Sequence, residues 1–142
     1  AFNHLGVGQG MQPVSASFAR QISLIERGEL DVLKHGNLEA TRNFTDVRDI
    51  VRAYEMVIHA KPGVYNVCSM RCVTMAELLD IFIRQAKTDI PTQVDERFYR
   101  PGSTEFRCPS FSKIQVLTGW SPEIELEDSV AEVLRDWRVR TI

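Results

Sequence analysis

The stretch that most restricts how this chain can fold is residues 36–49, which changes backbone regime twice within fourteen positions. Gly36-Asn37 reads as a turn, Thr41 to Phe44 as an extended run, and Thr45-Asp46 as a helix start capped by a side-chain oxygen. Val47, Ile50, Val51, Tyr54 and Val57/Ile58 then repeat at helical spacing, with Asp46 and Asp49 in the first turn, where the helix dipole favours acids. A strand that feeds straight into a helix predicts an α/β layer. Within the extended run, Arg42 sits between Thr41 and Asn43 ahead of Phe44. A guanidinium there can meet phosphate oxygens two at a time and never loses its charge. The same residue also reads as a surface arginine leading into a helix, since a lone arginine is not a motif.

The remainder of the chain follows the same alternation. Residues 1–10 read as a short strand end running into a glycine-rich loop. The loop is no dinucleotide fingerprint: its glycines are spaced Gly-x-Gly-x-Gly, no apolar strand precedes them, and Pro13 comes before any helix. Ser15 or Ser17 can cap a helix to about Arg27, striped by Phe18, Ile22 and Ile25 and stopped by Gly28. A short strand is predicted over 32–35 and a doubly buried one over 64–68. Thr74-Met75-Ala76-Glu77 is a capping box opening a helix to about Ala86. A last strand is expected over 92–95, a polar loop over 97–110, and a short helix from Ser112 to Leu117 ended by Gly119. The final amphipathic helix uses Leu126, Val130, Val133, Leu134 and Trp137. The expected fold is therefore a small, mostly helical α/β domain with few short strands, too small in its sheet to hold a complete dinucleotide-binding unit.

Length and charge exclude several functions. At 142 residues the chain suits a single domain, 1–142, with its own core. A net charge of −2 without a basic run argues against nucleic acid, so any useful arginine must act inside a pocket. No apolar run approaches the ~20 residues of a membrane helix. Cys68, Cys72 and Cys108 are an odd number without a targeting signal, which predicts reduced thiols in a cytoplasmic protein. Cys68 and Cys72 lack a second ligand pair, and His4, His35 and His59 are scattered, so no metal site is expected. The chain opens on Ala1 in what reads as a strand end, as a piece of a longer protein would.

For chemistry, the pattern of an arginine beside an aromatic returns at Phe98-Tyr99-Arg100-Pro101-Gly102. The following proline holds Arg100 extended. Arg42 and Arg100 could clamp one diphosphate, with Asn3 as a neutral donor; two unrelated surface arginines is the competing reading. There is no Tyr-x-x-x-Lys and no nucleophile paired with a histidine. Tyr54 and Tyr65 fall on apolar positions and are expected in the core. Glu39 and Asp95 show no partner that would make an acid–base pair. The residues point to binding more than to turnover.

Taken together, several segments resemble one family in chain order. They are Phe2-Asn3-His4-Leu5-Gly6 with Gln9, Phe18-Ala19-Arg20-Gln21-Ile22, and Gly36-Asn37-Leu38-Glu39-Ala40 running on to Ile50. Val64-Tyr65-Asn66-Val67-Cys68-Ser69, Tyr99-Arg100-Pro101 and Thr118-Gly119-Trp120 continue the series. The chain resembles the C-terminal part of extended short-chain dehydrogenases/reductases (the NAD-dependent epimerase/dehydratase family). The nearest likeness is to the GDP-4-keto-6-deoxy-mannose reductases, then to the GDP-mannose 4,6-dehydratases.

The resemblance implies a two-part enzyme. An N-terminal Rossmann domain would hold NADP or NAD and the Tyr-x-x-x-Lys pair, and a smaller C-terminal region the GDP-sugar. Residue by residue, it assigns Asn3, Arg42 and Arg100 to the diphosphate or its neighbourhood, and Val14 and Phe18 to the segment over the base. His4 and Gln9 match positions beside the nicotinamide half of the cofactor. Three positions depart from the pattern: Val7 replaces a proline, Ser103 an acid and Ser110 an aspartate. No catalytic residue is assigned, and no cofactor is expected on this chain alone. The whole enzyme would transfer hydride between the nicotinamide and the sugar C4. The alternatives are a free-standing nucleotide-sugar-binding or assembly module and a truncated relic. A chain without its Rossmann half should leave Phe2 and part of the 46–59 helix apolar and exposed, and self-associate through them.

Overall fold

The computed structural model describes residues 1–99 and 108–140. Strand β3 (Thr41–Asp46) is the centre of a three-stranded sheet. It pairs in parallel with β1 (Asn3–Leu5), Asn3 opposite Phe44, and antiparallel with β4 (Cys72–Thr74), Arg42 opposite Val73. A second, two-stranded parallel sheet joins β2 (Leu33–His35) to β5 (Thr92–Val94). Helices α1 (Val14–Glu26), α3 (Met75–Arg84) and α5 (Leu126–Val139) close over one core. Phe18 meets Phe82 edge-to-face at 6.1 Å there.

A smaller core lies between α2 (Val47–Val57) and α4 (Ser112–Thr118) around Trp120. The indole N–H of Trp120, which has to find an acceptor once buried, donates to the Asp49 carbonyl at 3.0 Å. The Asp49 carboxylate, itself buried, accepts from the Glu123 and Ile124 amides at 3.0 Å each and from Arg52 at 2.6 Å. One acid thus carries the turn that leads into α5.

Most local signals read from the sequence hold, but the serine cap expected for α1 does not form: Pro13 precedes the helix, no side chain caps it, and Ser15 and Ser17 lie inside it. The capping box forms, Thr74 Oγ1 accepting from Glu77 N–H while the Glu77 carboxylate accepts from Thr74 N–H. Asp46 caps α2 and α5 has the expected span. Four further expectations need correction. Residues 64–68 are not a strand: their one backbone–backbone hydrogen bond among the described residues runs from Phe2 N–H to the Val67 carbonyl. Val64 is exposed there, and only Val67 and Cys68 are buried. A strand that was not expected, β4, takes the edge position beside β3. Tyr54 is 53% exposed, because α2 buries the Ile50–Ala53 side and turns Val51, Tyr54 and Ile58 outward. Tyr65 is half-buried, with Lys113 over its ring at 4.7 Å.

The fourth correction concerns the thiols. Cys72 and Cys108 form a disulfide, their Cα atoms 5.8 Å apart although 36 positions separate them in sequence. Spacing along the chain offered only the neighbouring Cys68, which stays a buried thiol whose pKa burial pushes up to about 11.

Asp46 yields a pH test. Burial alone would raise its pKa, but hydrogen bonds from the Arg48 side chain, the Ser129 hydroxyl and the Arg48 amide outweigh it and hold it below 3.8. A group depressed in the folded state gives stability that is full above its unfolded pKa and lost as pH falls through the folded one. Asp46→Asn should therefore be less stable at neutral pH by about 1–3 kcal/mol. The gap should shrink on acidification below pH 3.8. Urea unfolding across pH measures it, and a gap independent of pH would contradict the assignment.

Candidate functional site

A cavity of about 890 Å³ opens where β1, β3, the start of α1 and the end of β2 come together. It gathers Asn3, His4, Gln9, Val14, Phe18 and Arg42, six positions scattered over the first 42 residues. Arg100 lies outside the described residues, so its convergence with Arg42 is not part of this geometry. The wall carries Lys34, Arg42 and Arg97, and no Asp or Glu among the described residues. On a chain of net charge −2 this is a local gathering of cations, Arg97 among them being paired with Asp95. Phe2, Val14, Phe18, Leu38 and Phe98 add apolar surface. A basic wall beside apolar surface suits a ligand with an anionic part and a flat or greasy part.

Asn3, Arg42, His4 and Gln9 are each placed by a named contact. Asn3 Nδ2 donates to the Asn43 carbonyl at 3.2 Å, so the orientation of its amide is set by the central strand. Arg42 Nη1 donates to the Thr41 carbonyl at 2.8 Å. His4 is exposed, and its Nδ1 lies 3.2 Å from the Phe2 carbonyl, which can only accept. Gln9 is already engaged within the loop, its Nε2 donating to the His4 carbonyl and its Oε1 accepting from Ser15 Oγ. Gln9 therefore ties the glycine loop to α1.

Three wall features escaped the sequence reading. Lys34 and His35 on β2 were taken only as strand residues. Arg97 was read as part of a polar loop, but a 3-10 turn over Glu96–Phe98 brings it and Phe98 to the wall. Asp95 caps that turn, and Arg97 forks onto its carboxylate, holding the Asp95 pKa at about 2. The remaining signal was Gly36: a Cβ there would collide with the Phe98 backbone carbonyl, so only glycine lets the turn approach β2.

The glycine loop is also fixed from the far end of the chain. Asp136 of α5 accepts from Gly8 N–H at 3.1 Å, and Arg140 Nη1 donates to the Gln9 carbonyl at 2.6 Å. Arg140 pairs with Asp136 and stacks on Trp137, 4.5 Å from the ring centre. Gly8 has φ +88°, a conformation side chains disfavour, so the loop can present its amide this way only with glycine there.

Among the described residues no group of histidine, cysteine or acidic side chains could hold a metal ion. No helix among them is long and apolar enough to cross a membrane.

Comparison with known proteins puts this geometry in context. The profile of the GDP-mannose 4,6 dehydratase family matches residues 1–133. The chain is 34% identical over 142 residues to GDP-6-deoxy-D-mannose reductase of Pseudomonas aeruginosa, covering 98% of this chain and 47% of that protein. It is 28% identical over 132 residues to GDP-mannose 4,6 dehydratase 2 of Arabidopsis thaliana, covering 91% of this chain and 35% of that one. The structure of RMD from P. aeruginosa complexed with NADPH superposes with a TM-score of 0.88 at 32% identity, over 98% of this chain and 47% of that one. The chain thus spans half or less of the length of the relatives it matches.

The clamp on the glycine loop is open to direct test. Asp136→Ala should speed amide exchange at Gly8 and cost about 0.5–1.5 kcal/mol of stability. Hydrogen exchange followed by NMR reads that amide, and an unchanged rate there would refute the clamp.

Proposed function

The chain belongs to the GDP-mannose 4,6-dehydratase family, and from that premise we propose that residues 1–142 form the nucleotide-sugar-binding part of a GDP-sugar 4-keto reductase or 4,6-dehydratase. The observation that carries this reading is the lining of the cavity among the described residues: Lys34, Arg42 and an Arg97 paired with Asp95, with no carboxylate on the wall itself, beside Val14 and Phe18. A pyrophosphate needs the cations, and a base with its ribose needs the apolar surface. Arg42 takes the pyrophosphate in this reading, Asn3 donates or accepts beside it, and Val14 and Phe18 cover the base. Arg100 would add a second guanidinium. A relative that reduces a GDP-deoxysugar supports the same substrate class.

In the whole enzyme, NADP or NAD would supply or accept hydride at the sugar C4. His4 suits that neighbourhood. With Nδ1 turned to the Phe2 carbonyl, a neutral ring keeps Nε2 as an acceptor at the exposed end of β1. Gln9 contributes by holding the loop. The described residues contain no Tyr-x-x-x-Lys pair, so this part binds and orients but does not turn over substrate alone. Cytoplasmic residence belongs to the same reading, and the disulfide between Cys72 and Cys108 is the observation that pulls against it.

Isothermal titration with GDP and GDP-mannose tests the reading. Heat of binding is expected with both, and Arg42→Ala should weaken it by about 1.5–3 kcal/mol, the worth of a charged hydrogen bond. No binding of either ligand would overturn it.

A second reading rests on its own observation. Val51 and Tyr54 of α2 and Ile58 at its C-cap present an apolar stripe, each more than half exposed. The remaining half of a full-length enzyme would cover it; without that cover, two copies of this chain should meet there. Light scattering should then show a species larger than one chain, reverting to monomer in a Val51→Glu, Ile58→Glu double variant. A monodisperse wild-type monomer would contradict self-association.

A further inference from the structure

His35 is a buried wall residue of the cavity, and its ring is fixed in one tautomer. Its Nδ1 lies 2.8 Å from the carbonyl of Gly36. A carbonyl can only accept, so Nδ1 carries the proton and, in the neutral ring, Nε2 is an acceptor. Among the described residues Nε2 has no hydrogen-bond partner, yet it is not one of the buried polar atoms sealed off without one, which are Arg20 Nε and Trp137 Nε1. The open space that His35 borders is the cavity.

The strand beneath it is held rigidly. Gln21 of α1 grips Lys34 from both sides, its Oε1 accepting from Lys34 N–H at 2.8 Å and its Nε2 donating to the Lys34 carbonyl at 3.0 Å. The His35 carbonyl accepts from Asp95 N–H at 2.8 Å. Gly36, whose carbonyl fixes the ring, packs against Phe98, so His35 stands beside an aromatic side chain of the wall. A preset acceptor on a rigid strand beside an aromatic face suits the ring N–H of a flat base.

Resting on the nucleotide-sugar reading above, we propose that His35 is a specificity-determining residue: its Nε2 accepts a hydrogen bond from the N1–H or N2–H edge of guanine. The lysine and arginines read charge and would serve any nucleoside diphosphate, whereas this acceptor reads the base. Guanine offers two adjacent donors on one edge, so it satisfies a fixed acceptor over a wider range of tilt than a base with a single ring N–H.

The test titrates the chain and two variants, His35→Leu and His35→Gln, with GDP, inosine diphosphate, UDP and inorganic pyrophosphate. His35→Leu should bind GDP about five- to tenfold more weakly, the worth of one neutral hydrogen bond. Its affinity for pyrophosphate should stay that of the wild type. His35→Gln, whose amide oxygen can stand in for Nε2, should recover most of the loss. Equal GDP affinity in His35→Leu and wild type would overturn the proposal while leaving the nucleotide-sugar reading intact. So would a loss that falls equally on pyrophosphate, which would mark a structural role. If the wild type binds pyrophosphate but discriminates among none of the three nucleotides, base reading by His35 is likewise refuted. If it binds none of the four, the nucleotide-sugar reading itself fails and takes this one with it.

Discussion

Strand β3 carries a run of polar groups into the interior, and the need to satisfy each of them fixes what surrounds it. Asn43, 1% exposed, donates through Nδ2 to the carbonyls of Ser69 and Arg71 and accepts through Oδ1 from Ser69 N–H. Asp46, 2% exposed, accepts from the Arg48 amide, the Arg48 guanidinium and the Ser129 hydroxyl. A buried donor or acceptor left without a partner costs about 1–3 kcal/mol, and a charged one more. The partners therefore cannot drift. Asn43 draws in the segment that leads to β4, and Asp46 draws in α5 as well as starting α2. Asn3 then finds the Asn43 carbonyl already in place. The cavity wall inherits its geometry from a strand whose buried polar side chains, Asn43, Thr45 and Asp46, are all engaged.

This accounts for what could be read from the sequence. The caps of α2 and α3, the helix stripes and the turn at Gly119 depend on residues within four positions of one another, and the chain states them directly. Thr74 with Glu77 and Asp46 with Arg48 are of this kind. The misread segments depend on partners far away. Residues 64–68 have the apolar composition of a buried strand, but among the described residues only Phe2 offers them a backbone partner. Residues 72–74 have no strand signal of their own and become one because β3 presents a free edge. Tyr54 fits a helical repeat of apolar residues equally well on the inner or the outer side. The repeat gives the period and leaves the direction of the core unstated.

The candidate site divides in the same way. Arg42 was legible because an arginine in an extended run before an aromatic is a local pattern. The absence of carboxylates from the wall among the described residues was not, because it is a property of five segments meeting, in a chain with 19 acids and 17 basic residues. His35 gave no sequence signal beyond being one of three scattered histidines. Its meaning arises from one carbonyl, that of Gly36, and from the grip of Gln21 on the residue before it. Burial often makes a histidine look structural, and here it is the half-used ring that separates a reader from a filler.

The disulfide adds a constraint of a different sort. Cys72 stands opposite Asn43 in the β3–β4 register, and Cys108 lies ten positions beyond Phe98, which borders the cavity. Closing a separation of 36 residues removes freedom from the unfolded chain worth about 4 kcal/mol in the chain-entropy account. That is a large fraction of the net stability of a small domain, about 5–15 kcal/mol. It also ties the chain after the Phe98 turn to the strand beside Asn43 and Arg42. A wall built from segments so distant in sequence keeps its spacing only if something limits their separate motion. On one side that limit is the polar network of β3; on the other it is covalent.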